Sequence, residues 1–414
     1  MAKNYKAIYT SGNSSIALEQ KCFIKKETVK GVFTAPTNND FLYTLGGFGI
    51  KHTQAINPSP TRSGRHNISF IKEKKVADFS LPSFFNIDTQ VAAGVTEIDL
   101  GLQVLLESLL GRKTISSGVI FDSANTPSTT FTMLEVGDLW SKQMVGAYVN
   151  DGEFDFPGDG QAKISLTGAG KEAIVVGISR SAVANAGGTT VTLATVGEAI
   201  RFPVGSYVQI VKNDGVTRST DTPSGSPRLV TASDTSTGIV TLNGANLTTD
   251  SDGTGLLPVF LTYYEPEAPV AINNPITGLI GSVTVSNLTT TCVRMAKLSL
   301  KNNHESVNYC FGSDSLQAPF FVAGGRLQAE LTLEINFDAS VLEFYNKVRK
   351  FESSAVTLNL GDTGSRYAQV TIPKVQFNIP EITIPETGSI PVTFTGICYE
   401  TAIDSADEVT LSFL

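Results

Sequence analysis

The sequence predicts a mainly β protein. Two similar domains of β-sandwich or barrel type each carry one packed helix, and a small all-β domain is inserted between them. Three observations lead there. The chain has 414 residues, 41% hydrophobic and 17% charged, with Gly (37), Thr, Ser, Val and Asn prominent; this is a composition of short strands and turns with enough apolar side chains for a core. Strand-like alternation is broken by only two good helical stripes. One order of elements recurs in the two halves, and the length suits two or three domains.

Residues 19–52 read as extended segments between turns. Phe41, Tyr43 and Leu45 alternate with polar or small residues, as do Phe48 and Ile50, the period of a half-buried strand. The stretch 56–75 (INPSPTRSGRHNISFIKEKK) is too polar for a core, and its Pro and Gly fit a long excursion between strands. Strand character returns over 76–87, with Ala77, Phe79 and Leu81 on one face. A helix is expected at about 99–111: Asp99 can cap it, Leu102, Leu105, Leu106, Leu109 and Leu110 share helical spacing, and Gly111 stops it. Strands follow near 131–136, 143–149, 152–156 and 161–167, with Asp159-Gly160 as a turn.

Residues 178–262 are rich in Thr, Ser, Gly and Asp and poor in aromatics. Strand-like runs at 189–194, 206–212, 227–232 and 238–242, with turns at Asp214-Gly215 and Asn243-Gly244, predict a small separate all-β domain. The Pro-rich stretch 263–275 reads as a linker or stiff crossover. The domains are therefore 1–177, 178–262 and 263–414.

A shift of 228 residues lays EFDFPGDGQAKISLTGAGKEA (153–173) over EITIPETGSIPVTFTGICYET (381–401) without a gap. Glu153/Glu381, Pro157/Pro385, Gly160/Gly388, Thr167/Thr395, Gly168/Gly396 and Glu172/Glu400 are identical, and both copies read as hairpins. Earlier parts match in pattern at other shifts. Phe48 and Ile50 match Leu298 and Leu300; Ala77, Phe79 and Leu81 match Ala329, Leu331 and Leu333; the excursion 51–75 matches 301–326. The first helix matches Asp338–Lys350, with Val341, Leu342, Tyr345 and Val348 as its buried stripe. Each half then reads strand, long loop, strand, helix and several strands, which points to duplication.

The net charge of −8 speaks against gripping nucleic acid, whose affinity comes mainly from neutralised phosphates. No apolar run is long enough to span a membrane. The N-terminal MAKNYKAIYTSGNSS lacks the apolar centre of a secretory signal, so synthesis in a cytoplasm is expected. Cys22, Cys292, Cys310 and Cys398 lie far apart without a CxxC, and reduced, mostly buried thiols are expected; a disulfide between subunits stays open.

Motifs for chemistry fail one by one. GAGKEA (168–173) lacks the spaced Gly and the Ser or Thr of a phosphate loop. Asp250, Asp252 and Gly253 start like a calcium loop, but Leu261 stands where a bidentate Glu belongs. His52, His66 and His304 have no metal-ligand spacing. No nucleophile motif occurs, and Trp140 reads as a packing or subunit-contact anchor. Neither a catalytic site nor a cofactor or metal is expected. The charged feature that stands out is the basic run Arg62, Arg65, Lys72, Lys74 and Lys75. It reads as a solvated hairpin or as a stacking loop that meets Asp151, Glu153, Asp155 and Asp159 of a neighbouring ring.

Two similar domains in one chain can take equivalent places around a ring, so that three chains supply six. Strand edges would then pair with neighbours into a continuous inner barrel. The run KETVKGVFTAPTNNDFLYTLGGFGI, the charged stretch leading to VADFSLPSFF, the LLESLLG helix, and the ending EITIPETGSIPVTFTGICYETAIDSADEVTLSFL resemble the phage tail tube family over about 1–177 and 263–414. The resemblance implies a tail structural protein of the virion, made in the host cytoplasm and assembling with itself into stacked rings. The lumen would hold the tape measure protein and pass DNA without sequence-specific binding, and the tube ends would meet tail tip or baseplate and tail terminator proteins. It also implies inter-ring loops at 51–75 and 301–326. Residues 178–262 depart from the family pattern and are expected on the exterior. A lumen through which DNA slides calls for a net-acidic wall. Another virion or surface structural β-protein, such as a capsid component, remains an alternative, as does a secreted β-rich enzyme or carbohydrate-binding module.

Overall fold

A computed structural model describes residues 3–5, 20–58, 62–63, 66–67, 70–85, 100–116, 118–124, 129–179, 181–185, 187–248, 256–267, 281–286, 288, 293–307, 321–323, 325–362, 366–382 and 387–414. The protein is mainly β, with a large sheet and a closed six-stranded barrel.

The first repeat holds β1 (Lys21–Lys26), β2 (Phe41–Leu42), β3 (Gly49–Pro58), β4 (Arg62–Ser63), β5 (His66–Asn67) and β6 (Phe70–Phe84), then helix α1 (Leu100–Leu110). It continues with β7 (Gly111–Ile115), β8 (Val119–Ser123), β9 (Phe131–Val136), β10 (Ser141–Pro157), β11 (Lys163–Gly170) and β12 (Glu172–Val176). The inserted unit is β13 (Ala182–Asn185), β14 (Thr190–Leu193), β15 (Tyr207–Lys212), β16 (Arg228–Asp234), β17 (Ile239–Leu242) and β18 (Leu256–Tyr263). The second repeat holds β19 (Ser282–Val285), β20 (Val293–Lys301), β21 (Glu305–Val307), β22 (Phe321–Ala323) and β23 (Gln328–Asn336), then helix α2 (Ala339–Arg349). It ends with β24 (Ser354–Asp362), β25 (Arg366–Phe377), β26 (Pro391–Cys398) and β27 (Thr410–Phe413).

Strand register brings out the duplication. In the first repeat β3 pairs with β6, β6 with β11, and β11 with β10; in the second β20 pairs with β23, β23 with β26, and β26 with β25. Phe79 faces Gly168 as Leu331 faces Gly396, and Val149 faces Gly168 as Phe377 faces Gly396. Phe79/Leu331, matched at a shift of 252, and Gly168/Gly396, matched at 228, thus pair alike in the two repeats. Both glycines exist for one reason. A Cβ on Gly168 would overlap the Tyr148 carbonyl oxygen and the Phe79 ring, and one on Gly396 would come within 2.6 Å of Val375 Cγ1 and 3.0 Å of the Gln376 carbonyl oxygen. Tyr148 and Gln376 are themselves related by the 228-residue shift.

Two matched pairs, Phe48/Leu298 and Ile50/Leu300, need correcting. Ile50 pairs with Phe79, whereas the residue facing Leu331 is Leu298. The equivalent of Ile50 is therefore Leu298, and that of Phe48 is Ala296, a shift of 248. An error of two residues leaves the buried face unchanged, so side-chain pattern alone cannot detect it.

Other expectations shift in detail. Leu42 is the core residue of the 41–45 stretch, while Phe41 is half-buried and Tyr43 exposed; the 3-10 turn at Asn38–Asp40 sets that register. The strands expected at 143–149 and 152–156 are one strand, β10, with a bulge between Val149 and Asp151. The excursion 51–75 is a β arm rather than a loop, because β3 and β6 stay paired out to Pro58↔Phe70 and β4 pairs with β5 beyond. In the second repeat β21 and β22 form the matching two-stranded arm. The second hairpin is incomplete: Ile379, Pro380, Glu381 and Ile382 lie outside any strand. Asp99 and residues 250–253 lie outside the described residues.

Both helices lie where expected. Gly111, at φ 103°, ends α1 in a conformation L-residues avoid and starts β7 directly. The Asp338 carboxylate caps α2 by accepting the Val341 N–H at 2.9 Å. This fixes Val341, Phe344 and Val348 as the buried face of α2; Leu342 is exposed and Tyr345 half-buried, so the expected stripe was rotated. Phe344 packs edge-on against Phe377 and Phe394.

β13, β14, β17, β16, β15 and β18 close into the small barrel. Its core is shared with the first repeat, since Phe23, Leu134, Val136 and Val176 join Val208, Ile210, Leu261 and Tyr263 in one apolar cluster. The start of the supposed linker is also an anchor. Tyr263 and Tyr264 are fully buried, and the Tyr264 hydroxyl donates to the Pro36 carbonyl at 2.6 Å.

Candidate assembly interface

β10 decides how the repeats meet. Its first half pairs with β9 and β12. Past the bulge, its second half pairs with β11 on one side and β20 on the other, from Asp151↔Lys301 to Pro157↔Met295. The result is one sheet in the order β3–β6–β11–β10–β20–β23–β26–β25, two equivalent four-strand sets in series. The junction is pinned at both ends. The Gly158 N–H donates to the Arg294 carbonyl at 2.8 Å, and the Asn302 N–H to the Asn150 carbonyl at 2.8 Å. The Asn302 side-chain amide reaches the Leu109 carbonyl at 2.6 Å, satisfying an orphan at the end of α1.

One face of this sheet is core, with Phe79, Leu81, Phe154, Ile164, Leu298, Leu331 and Phe394 buried. The other face is polar and carries charges of both signs. Lys51 faces Asp78, Asp151 faces Lys301, and Asp155 faces Lys163 and Lys297. Glu153 Oε2 lies 3.2 Å from Lys297 Nζ across the junction. Burial pushes the Asp78 carboxyl up from its usual range, while Lys51 pulls it down. Cross-strand pairing of opposite charges stabilises this face.

The residues singled out by sequence fall on two elements. Asp151, Glu153 and Asp155 stand on the polar face of β10, and Asp159 lies in the turn before β11. Arg62 is opposite Asn67 at the arm tip, Lys72 is opposite Ile56 and Lys75 opposite Gln54 on the arm shaft, and Lys74 falls in a register shift. Arg65 lies outside the described residues. Among the described side chains of one chain, the partner of Glu153 is Lys297.

The two ends of the eight-strand series differ. At one end the ladder stops early: the Asn378 N–H still donates to the Thr395 carbonyl at 2.8 Å, but Ile379 is 52% exposed and 379–382 pair with no strand. At the other end, the outward edge of β3 is closed by side chains. The Ile50 N–H donates to Glu135 Oε2 at 2.7 Å, and Lys142 Nζ donates to the Ile50 carbonyl at 2.7 Å. Glu135 and Lys142 are joined at 3.1 Å, and Lys142 Nζ lies 5.0 Å from the centre of the Trp140 ring. Sequence reading missed this cap, because its members come from two strands and act on a third.

It also missed a buried polar cluster at the root of the barrel. The Tyr5 hydroxyl donates to Glu265 Oε2 at 3.0 Å, Lys21 Nζ lies 2.7 Å from Glu265 Oε1, and Lys3 Nζ donates to the Tyr263 hydroxyl at 2.8 Å. These contacts tie the N-terminal segment to the base of the insertion.

Among the described residues no group of three or more His, Cys, Asp or Glu could hold a metal ion, and no helix is long and apolar enough to cross a membrane. Cys22 and Cys398 are buried and not in disulfides; burial, with Glu408 and Glu330 nearby, pushes the Cys398 thiol up to about 12. Cys292 and Cys310 lie outside the described residues. Compared with known proteins, the chain matches no protein family and no curated sequence.

Proposed function

We propose that this chain is a structural subunit of phage tail tube type, built to join copies of itself head to tail into rings that stack as a tube. The observation that carries this reading is the β10–β20 junction. It joins the end of one four-strand set to the start of an equivalent set, and it leaves an unmatched end at 379–382 and an unmatched start at β3. A heterologous contact of this kind between copies closes into a ring when the rotation allows. With two sets per chain, three chains give six equivalent positions, and pairing every edge removes the hazard of open strands. The arms β3–β6 and β21–β22 leave the sheet at equivalent places in both repeats, which suits contacts between stacked rings. The inserted barrel sits outside the ring wall. The lumen would pass DNA and hold the tape measure protein without sequence-specific contacts, and tail tip and terminator proteins would close the tube ends.

Negative-stain electron microscopy with mass measurement of the rings tests the proposal. Hollow stacked rings of three chains are expected at high concentration. Deleting 56–72 should leave single rings that no longer stack. A closed shell, or rings without a central channel, would overturn the reading.

A further inference from the structure

The β3 edge has two ligands to choose from. Inside the chain, the equivalent of Ile50 is Leu298, and the outward side of β20 at Leu298 is occupied by the backbone of Phe154. In the first repeat the same position is occupied by side chains, with the Glu135 carboxylate on the Ile50 N–H and the Lys142 ammonium on the Ile50 carbonyl. Between them these two groups reproduce what a neighbouring strand supplies, one acceptor and one donor. Carrying the β10–β20 register over by the shifts of 228 and 248 sets Ile382 of one copy opposite Ile50 of the next, and Glu381 opposite the exposed Lys51.

We propose that the Glu135–Lys142 pair is a removable edge cap, which holds the free subunit closed and is displaced from Ile50 by the 379–382 segment of a second copy. This rests on the head-to-tail reading above. The cap satisfies the buried backbone groups of Ile50 in a lone subunit, where leaving them bare would cost stability. It also competes with the incoming strand, so the first junction forms less readily than the copy built into the chain. Lys142 has somewhere to go when displaced, since it keeps Glu135 as its ion partner and the Trp140 ring beneath it.

The test uses the full chain at a concentration where it is monomeric and a fluorescent peptide of residues 376–390. Lys142→Met removes the donor to Ile50 and keeps the stem; Glu135→Gln keeps an acceptor for the Ile50 N–H but loses the charge pairing. Lys142→Met is expected to bind the peptide at least tenfold more tightly than the unaltered protein and to form rings at a tenfold lower concentration, with Glu135→Gln in between and Lys142→Arg unchanged. A peptide carrying Glu381→Cys should cross-link to a Lys51→Cys subunit faster when the cap is removed. Equal peptide affinity with and without the cap, or no binding to either, overturns the proposal; circular dichroism of each variant confirms that it is folded. The two readings separate cleanly. Rings whose formation ignores these substitutions keep the tube reading and remove the cap, whereas a peptide that needs cap removal to bind, in a protein that never forms rings, keeps the cap and removes the tube.

Discussion

The two repeats share a backbone plan but not a packing plan, and the helices show it best. α1 is buried nearly all round, including Leu102, Leu105, Leu106, Leu109, Leu110 and even Gln103. α2 buries only Val341, Phe344 and Val348 and leaves Leu342 48% exposed. A helix apolar on every side must be covered on every side. α1 lies against β1, β2, β7, β8 and β10, and among the described residues α2 has no comparable wrapping. Both repeats keep a second ladder, β1–β9–β10–β12 in the first and β19–β24–β25–β27 in the second; the extra cover on α1 comes from β7 and β8. The two repeats thus share the strands that pair and differ in what covers their helices.

The difference can be broken most sharply at the helices. Leu105→Ala should cost about 2–5 kcal/mol of unfolding free energy through the cavity it leaves, whereas Leu342→Gln should change stability by less than about 0.5 kcal/mol, as exposed substitutions do. Urea denaturation of both would settle it; equal losses would mean that α2 is covered after all.

The paired glycines come next. Gly168→Ala pushes a methyl group into a carbonyl oxygen and should cost about 3 kcal/mol. Gly396→Ala meets mainly side chains that can yield and should cost about 1–2 kcal/mol. A reversed order in melting temperature would remove the claim that both glycines answer one steric constraint of different severity.

A third contrast concerns Glu27, a buried carboxylate of the first repeat. It accepts from the N–H groups of Gly31 and Gly146 at 2.7 Å each, and from Thr130 Oγ1 at 2.7 Å and Thr132 Oγ1 at 3.3 Å. Burial nevertheless pushes its carboxyl up from the usual range. The folded protein therefore holds this proton more tightly than the unfolded chain, and the stability tied to it is present at low pH and lost as pH rises through the raised value. Glu27→Gln cannot lose a proton, so the stability of the unaltered protein relative to this variant should rise as pH falls from 7 toward the carboxylate range. Urea midpoints that move in parallel would show no raised value. The smallest effect belongs to the exposed Lys297–Glu153 pair, where Lys297→Met should cost less than about 0.5 kcal/mol. A loss of several kcal/mol would make that ion pair, rather than the strand ladder, the joint between repeats.

Much of this was legible in the sequence. The alternation in β6, β11 and β23 and the leucine stripe of α1 gave the elements, and two of the six identities of the 228-residue shift, Thr167/Thr395 and Gly168/Gly396, named residues that pair alike in both repeats. What stayed hidden depends on long-range geometry. Nothing local says that β10 runs on past its own repeat to take up β20, because Phe154 and Phe156 look the same whether one neighbour or two flank them. The polar run 56–75 masked an arm, since a strand pair without a core needs no apolar alternation. The cap is likewise invisible, because Glu135 and Lys142 face each other across β9 and β10 and their target, Ile50, lies far away in the chain.

The barrel enters and leaves its host through one doorway. The Tyr263 N–H donates to the Gly177 carbonyl at 3.0 Å and the Ser179 N–H to the Leu261 carbonyl at 2.8 Å, so the strands going in and coming out lie side by side. A module whose own ends lie a strand spacing apart, about 5 Å, could be exchanged there without moving the host backbone. The exchange carries one condition. Phe23, Leu134, Val136 and Val176 line the threshold, and a replacement cargo would have to bring its own apolar underside to cover them. The doorway is thus a socket with a fitted lid, open to an insert of any function but only of one shape at its base.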